Sequence, residues 1–147
     1  MESREYHRDG YVISTDKSRL DVQAVHGYLS REFYWAAGRT LETVQRSIEG
    51  SLCLGLYDPQ GRQAGFARVI TDSATFGWIC DVFVLDTHKC RGLGKWLVQV
   101  LVELPDLQGV RRLQLATRDA HELYQRYGGF TPLASPEMWM ERKMDPA

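Results

Sequence analysis

Residues Asp81–Leu97 read DVFVLDTHKCRGLGKWL, and the fold turns on how this stretch is divided. Val82-Phe83-Val84-Leu85 is a short β-branched and aromatic run, as a buried strand requires. Asp86 to Arg91 is polar and turn-like. From Lys95 to Leu104 apolar residues recur at helical spacing. A strand therefore runs through a basic loop holding Gly92 and Gly94 into a helix. Glycines let a backbone approach a bulky anion closely. A helix N-terminus adds unpaired N–H groups and partial positive charge. Lys89, Arg91 and Lys95 place formal charge at the same end. The combination predicts a phosphate cradle, with a pyrophosphate as ligand.

The rest of the chain bounds this reading. Its 147 residues suit a single domain over 1–147 with a sizeable core, and 44% hydrophobic with 25% charged residues is ordinary globular composition. A formal net charge of −1 argues against nucleic-acid binding by bulk electrostatics. Three cysteines, Cys53, Cys80 and Cys90, form no CxxC pair. Neither a disulfide framework nor a metal site is expected, and a reducing compartment is. The N-terminal residues lack a signal-peptide apolar core, and no apolar run approaches bilayer length. A cytoplasmic protein with no membrane partner is expected.

Tyr11–Thr15 reads as a first strand. Ser18 and Asp21 have capping-box spacing ahead of a helix whose inner face carries Leu20, Ala24, Val25, Tyr28 and Leu29. Residues 31–40 are aromatic-rich and irregular. Thr40 caps a second helix, with Leu41, Val44 and Ile48 inward, and Gly50 ends it. Residues 52–57 and 63–70 form a hairpin about Asp58-Pro59-Gln60-Gly61. Trp78–Leu85 is the next strand, and Pro105 stops the helix after the glycine loop. Arg111–Ala116 alternates as a strand does. Asp119 and Glu122 open a short helix closed by Gly128-Gly129. Residues 130–133 and 138–142 are expected to form a last strand pair. The order β-α-α-β-β-β-α-β-α-β-β is an α/β (α+β) domain with a mixed sheet.

Two rival readings of the loop fail. A dinucleotide fold needs G-x-G-x-x-G, and Leu97 stands at the third glycine. A Walker A loop needs a first glycine where Lys89 stands and Ser or Thr where Trp96 stands. Lys89-Cys90-Arg91-Gly92-Leu93-Gly94 instead resembles the acetyl-CoA loop of the GNAT N-acetyltransferase superfamily, [Q/R]-x-x-G-x-[G/A], with Lys at the first position. Leu123-Tyr124-Gln125-Arg126-Tyr127-Gly128-Gly129-Phe130 is similar to that family's L-Y-x-x-x-G-F segment, with one glycine more. The element order resembles that fold over most of the chain.

The resemblance implies acetyl-CoA as co-substrate. Residues Val82, Phe83 and Val84 would face the pantetheine arm and thioester. Cys90, Arg91, Gly92, Leu93, Gly94 and Lys95 would wrap the pyrophosphate. Tyr124 would sit beside the sulfur as proton donor. A tyrosine at about 10 and a thiol at about 8.5 make full transfer uphill by roughly 2 kcal/mol. Thr117 stands where many relatives have an asparagine that contacts the cofactor. Trp78 and Cys80 should share a face with Val82. Asp81, the only carboxylate in the strand, is the candidate base if a β-bulge, expected from the resemblance, re-aims it. Glu32 and a water relay are alternatives, and Cys80 is one if its pKa falls. The four histidines are read as structural or solvated. Tyr34 and Trp35, with Trp78, are candidates for an acceptor pocket, where aromatic faces suit an ammonium. The expected activity is acetyl transfer to a primary amine of a small molecule or protein, by direct attack in a ternary complex. The alternative is a non-catalytic acyl-CoA-binding regulatory or interaction module. An exposed sheet edge would permit a homodimer.

Overall fold

The computed structural model describes residues 2–32 and 38–144. Tyr34 and Trp35, two of the acceptor-pocket candidates, lie outside the described residues, as does the side chain of Glu32. The elements run β1 (Glu5–Arg8), β2 (Tyr11–Ser14), α1 (Val22–Glu32), α2 (Leu41–Glu49), β3 (Leu52–Tyr57), β4 (Gln63–Thr71), β5 (Phe76–Val84), α3 (Leu93–Glu103), β6 (Arg112–Gln114) and α4 (His121–Gly128). The six strands form one sheet in sequence order, antiparallel throughout except for the parallel β5–β6 pair. Among the described residues no helix is long and apolar enough to cross a membrane.

Alternation sorts the strand residues onto two faces. Ile13, Leu54, Leu56, Ala67, Val69 and Ile79 pack with Leu93, Trp96, Leu97, Val100 and Leu101 of α3. On the other face Cys53, Phe66 and Phe83 pack with Val25, Tyr28 and Leu29 of α1 and with Val44 and Ile48 of α2. Thr40 caps α2 as expected, but α1 is capped by Asp21 itself, while Ser18, the expected cap, sits in a preceding 3₁₀ turn and donates to Asp16. The Asp21 carboxylate accepts from the Ala24 N–H, and the Thr40 hydroxyl from the Thr43 N–H. Gly50 closes α2 and Gly129, in the left-handed region, closes α4. A second cap differs as well: Thr117, not Asp119, accepts from the Ala120 N–H ahead of α4.

Two expectations about strands are corrected. A strand at residues 5–8 pairs with β2 around Asp9-Gly10, whose φ angles of 52° and 82° make the tight hairpin turn. The strand pair expected over 130–133 and 138–142 is absent. Those residues form no ladder, and a 3₁₀ turn occupies Pro136–Met138. Pro132 and Pro136 supply no N–H to a ladder, which the alternation of their neighbours did not outweigh.

Candidate active site

The site begins where β5 and β6 part. Their parallel pairing covers Phe76–Trp78 against Arg112–Gln114 and stops there. β5 continues to Val84, so from Ile79 onward it has no strand on that side. An extended ligand can lie in such a gap and take the place of a strand.

Within the gap β5 carries a bulge. Phe66 pairs with Phe83 but Arg68 pairs with Cys80, so β5 has one residue more than β4 between these pairs. Asp81 takes φ 55°, a left-handed conformation that aspartate tolerates better than most residues. The bulge resets the alternation. Cys80 and Asp81 both stay with Arg68, on the face covered by α1 and α2, while Val82 and Val84 turn to the α3 face. Val82 therefore does not share a face with Trp78 and Cys80, as unbroken alternation had it. Phe83 returns to the α1 side and stacks on Tyr28, with ring centroids 4.2 Å apart. Only its backbone is left to face a ligand.

Past β5 the chain makes a 3₁₀ turn over Asp86–His88, and then Cys90 and Gly92 both take positive φ, 66° and 74°. Gly92 caps α3 with no side-chain acceptor, and no acidic residue stands in the first turn. The amides of Leu93, Gly94 and Lys95 thus keep their donors and the positive end of the helix dipole. Val84, Cys90, Gly92, Leu93, Gly94 and Lys95 line one groove of about 350 Å³, with His88, Lys89 and Leu123. A Cβ built at Gly94 would meet no atom within 4 Å, so this glycine leaves the groove open and is not needed for packing. Arg91 faces a second hollow of about 200 Å³ with Arg8, Tyr11 and Trp96.

The cations are not all aimed at the groove. The Lys89 ammonium lies 2.8 Å from the Asp86 carboxylate, and Lys95 sits over the Tyr127 ring at 5.3 Å. Of the groups facing the groove, the backbone amides at the start of α3 are the donors left without a side-chain acceptor. His88 is tied to the Tyr11 hydroxyl at 2.8 Å, with its Nε2 3.8 Å from buried Asp58. This braces the loop against β2 and the β3–β4 turn. This is the structural role expected of the histidines, but with partners from two distant segments that local sequence does not name.

Tyr124 enters from α4. It is 9% exposed and packs edge-on against Phe130. Its hydroxyl makes no hydrogen bond among the described residues. Burial, with Cys80 as electrostatic neighbour, pushes its pKa up to about 12. Burial likewise raises the Cys80 thiol to about 11, offset in part by Arg68. Cys80 is therefore a neutral thiol near pH 7, which removes it as a base.

Asp81 is 4% exposed, and one oxygen, Oδ2, accepts from Arg68 Nε at 2.9 Å and from Arg39 Nη1 at 3.1 Å. Arg68 also donates to the Ser51 hydroxyl at 2.9 Å. Neither arginine was singled out from sequence. Both stand far from the glycine loop in the chain, and only the fold brings them to the bulge. Trp78 lies on the same face, opposite Gln114. The Gln114 amide nitrogen is buried with no hydrogen-bond partner among the described residues. No group of three or more His, Cys, Asp or Glu among the described residues is arranged to hold a metal.

Comparison with known proteins agrees with this geometry. Residues 22–130 match the model of the Acetyltransferase (GNAT) family. A candidate acetyltransferase of Gibberella zeae is 33% identical over 138 residues, covering 80% of this chain and 77% of the relative. A crystal structure of a GNAT-family protein from Xanthomonas campestris pv. campestris superposes with a TM-score of 0.87 at 50% identity, covering 91% of this chain and 93% of the other. A Clostridium acetobutylicum structure described with acetyl-CoA shares the fold, with a TM-score of 0.63 at 12% identity and coverage of 97% and 95%.

Proposed function

This chain belongs to the GNAT acetyltransferase family and is an acyltransferase, and from that premise we propose that it moves an acetyl group from acetyl-CoA to a primary amine by direct attack in a ternary complex. The observation that carries the proposal is the parting of β5 from β6 after Trp78 and Gln114, with an uncapped glycine-containing helix start at one end of the gap and Tyr124 at its side. Acetyl-CoA supplies an acyl group activated as a thioester.

The chain's own residues then have distinct tasks. The amides of Leu93, Gly94 and Lys95 hold the pyrophosphate. The backbone of Val82, Phe83 and Val84 lies along the pantetheine arm, and an N–H there stabilises the oxyanion that develops on the carbonyl. The amine nitrogen bonds to the acetyl carbon, the carbon–sulfur bond breaks, and the amine gives up a proton. Tyr124 donates a hydrogen bond to the departing sulfur. With the tyrosine near 12 and a free thiol near 8.5, complete proton transfer is uphill by about 5 kcal/mol. Tyr124 thus stabilises the thiolate without surrendering its proton. A raised thiol pKa at Cys80 favours direct attack over an acyl-cysteine intermediate. Asp81 is better placed to hold two guanidiniums than to remove a proton, because both arginines occupy the same oxygen. The proton passes to water in the open cleft.

Calorimetry with acetyl-CoA and thiol release in the presence of an amine panel test this reading. Binding together with amine-dependent thiol release is expected. Binding without release from any amine would overturn the transferase assignment, and absence of binding would overturn the groove as well.

A further inference from the structure

The acceptor side of the gap carries an unusual balance of charge and hydrogen-bonding groups. Arg39 and Arg68 converge on the single carboxylate of Asp81, which leaves one net positive charge. The two arginines are not equivalent. Arg68 is buried, and its donors go to Asp81 and Ser51. Arg39 is partly open to solvent, with a side-chain exposure of 21%, and gives Asp81 only one donor, Nη1. Its backbone carbonyl accepts from His26 Nε2 at 2.8 Å, which fixes the residue against α1.

A second observation lies on the same sheet face. Gln114 opposes Trp78 at the last rung of the β5–β6 ladder, and its amide nitrogen is buried without a hydrogen-bond partner among the described residues. An unpaired buried amide group costs about 1–3 kcal/mol unless something bonds to it. Asp81 is three residues beyond Trp78 along β5, about 10 Å at strand rise. The acceptor side is therefore bordered by the outer edge of the Arg39 guanidinium, which has no further hydrogen bond among the described residues, and by the Gln114 amide.

We propose that the acceptor is an amine that carries its own carboxylate, with the acid group held by the outer edge of Arg39 and a polar group beside Gln114. This rests on the acetyltransferase reading above. A guanidinium presents two parallel N–H donors that match a carboxylate's two oxygens. Asp81 and Arg68 hold that fork in place and do not touch the acceptor. A polyamine is disfavoured by like charge, and a simple alkylamine leaves the half-buried excess charge unbalanced.

The test is a comparison of matched amines on the unmodified protein with acetyl-CoA, read as thiol release. L-phenylalanine is set against L-phenylalaninamide and phenethylamine, and β-alanine and γ-aminobutyrate against ethylamine and propylamine. At least one carboxylate-bearing member should exceed its carboxylate-free partner at least tenfold in kcat/KM. Arg39→Gln should then bring that ratio towards one by raising KM for the acid, leave acetyl-CoA affinity unchanged, and be partly reversed in Arg39→Lys. Carboxylate-free amines turning over as well or better in every pair would overturn this proposal and leave the transferase reading standing. So would a ratio unmoved in a folded Arg39→Gln. Acetyl-CoA binding with no turnover of any amine would overturn both. The comparison on the unmodified protein decides the matter even if the Arg39 variants do not fold.

Discussion

The proposed reaction leans most directly on Tyr124, and the environment of that side chain sets the form its contribution would take. A hydroxyl held near 12 by burial is neutral across the whole range in which the protein would work. Hydrogen bonds to charged groups contribute about 1.5–3 kcal/mol. Tyr124→Phe should therefore lower kcat by about 10- to 100-fold and leave the acetyl-CoA dissociation constant unchanged by calorimetry. The alkaline side of the kcat profile should show no loss up to about pH 10, because the tyrosine has yet to ionise there. A fall centred near the ordinary tyrosine value would contradict this. Asp81 invites a different experiment. Asp81→Asn leaves two guanidiniums facing each other in a buried site, and breaking such a pair costs about 3–5 kcal/mol. The variant should lose urea stability by that amount. If Asp81 were also the base, the folded variant would in addition lose the acid limb of the rate profile. The sequence made Tyr124 and the glycines visible, since their neighbours in the chain are also their neighbours in the motif. It could not reveal Arg39 and Arg68, whose only link to Asp81 is through space.

At the scale of the element, the start of α3 separates the two glycines by function. Gly92 has φ 74°, where a side chain is strained by about 1–2 kcal/mol, although a Cβ there would meet no neighbour. Gly94 is already helical, without positive φ, and equally open. Gly94→Ala should thus leave the melting temperature unchanged or slightly raised, since alanine favours the helix by about 1 kcal/mol. Its added methyl projects where the pyrophosphate must approach, so acetyl-CoA affinity should fall by roughly tenfold or more, about 1.4 kcal/mol. Gly92→Ala should cost stability as well. An alanine at position 94 that left affinity intact would remove the groove from the cofactor site. Local signals of this kind explain which elements were legible. The Thr40 cap, the glycine stops of α2 and α4 and the Asp58–Gly61 turn are short-range chemistry and stand where the sequence puts them, whereas Ser18 and Asp119 yield their capping places to Asp21 and Thr117, which lie within three residues of them. The β1–β2 hairpin was signalled too, by Asp9-Gly10 between two four-residue runs, but Glu5–Arg8 is polar and mostly exposed, so periodicity gave no support. The bulge at Asp81 has no local signature. It follows from β5 matching β4 at both ends with one residue to spare.

For the whole molecule, the buried acids with raised pKa values set the direction of its response to alkali. Cys53 and Cys80 hold their protons to about 11 and Tyr57 and Tyr124 to about 12, in each case chiefly because burial penalises the anion. In the unfolded chain the same thiols ionise near 8.5 and the tyrosines near 10. Below about pH 8 both states carry all four protons, and stability is independent of these groups. As pH rises through the unfolded-state values, the unfolded chain releases protons that the folded one retains. Stability must then fall with pH, by up to 1.36 kcal/mol per unit for each group in that window. Each group forfeits on the order of 2 kcal/mol by the time its folded value is reached, and together they rival the 5–15 kcal/mol of a typical domain. The urea midpoint should accordingly hold steady from pH 7 to 8, decline from about pH 8.5, and approach zero before pH 12. Cys53, sealed between α2 and β3, provides the control. In Cys53→Ala the whole curve should drop, because a packed sulfur is lost. Its slope between pH 9 and 11 should also be shallower, by one proton's worth. A midpoint flat to pH 11 would mean that these groups ionise without unfolding the chain, and that the sheet face holding Cys53, Cys80 and Arg68 is more open to water than its packing indicates.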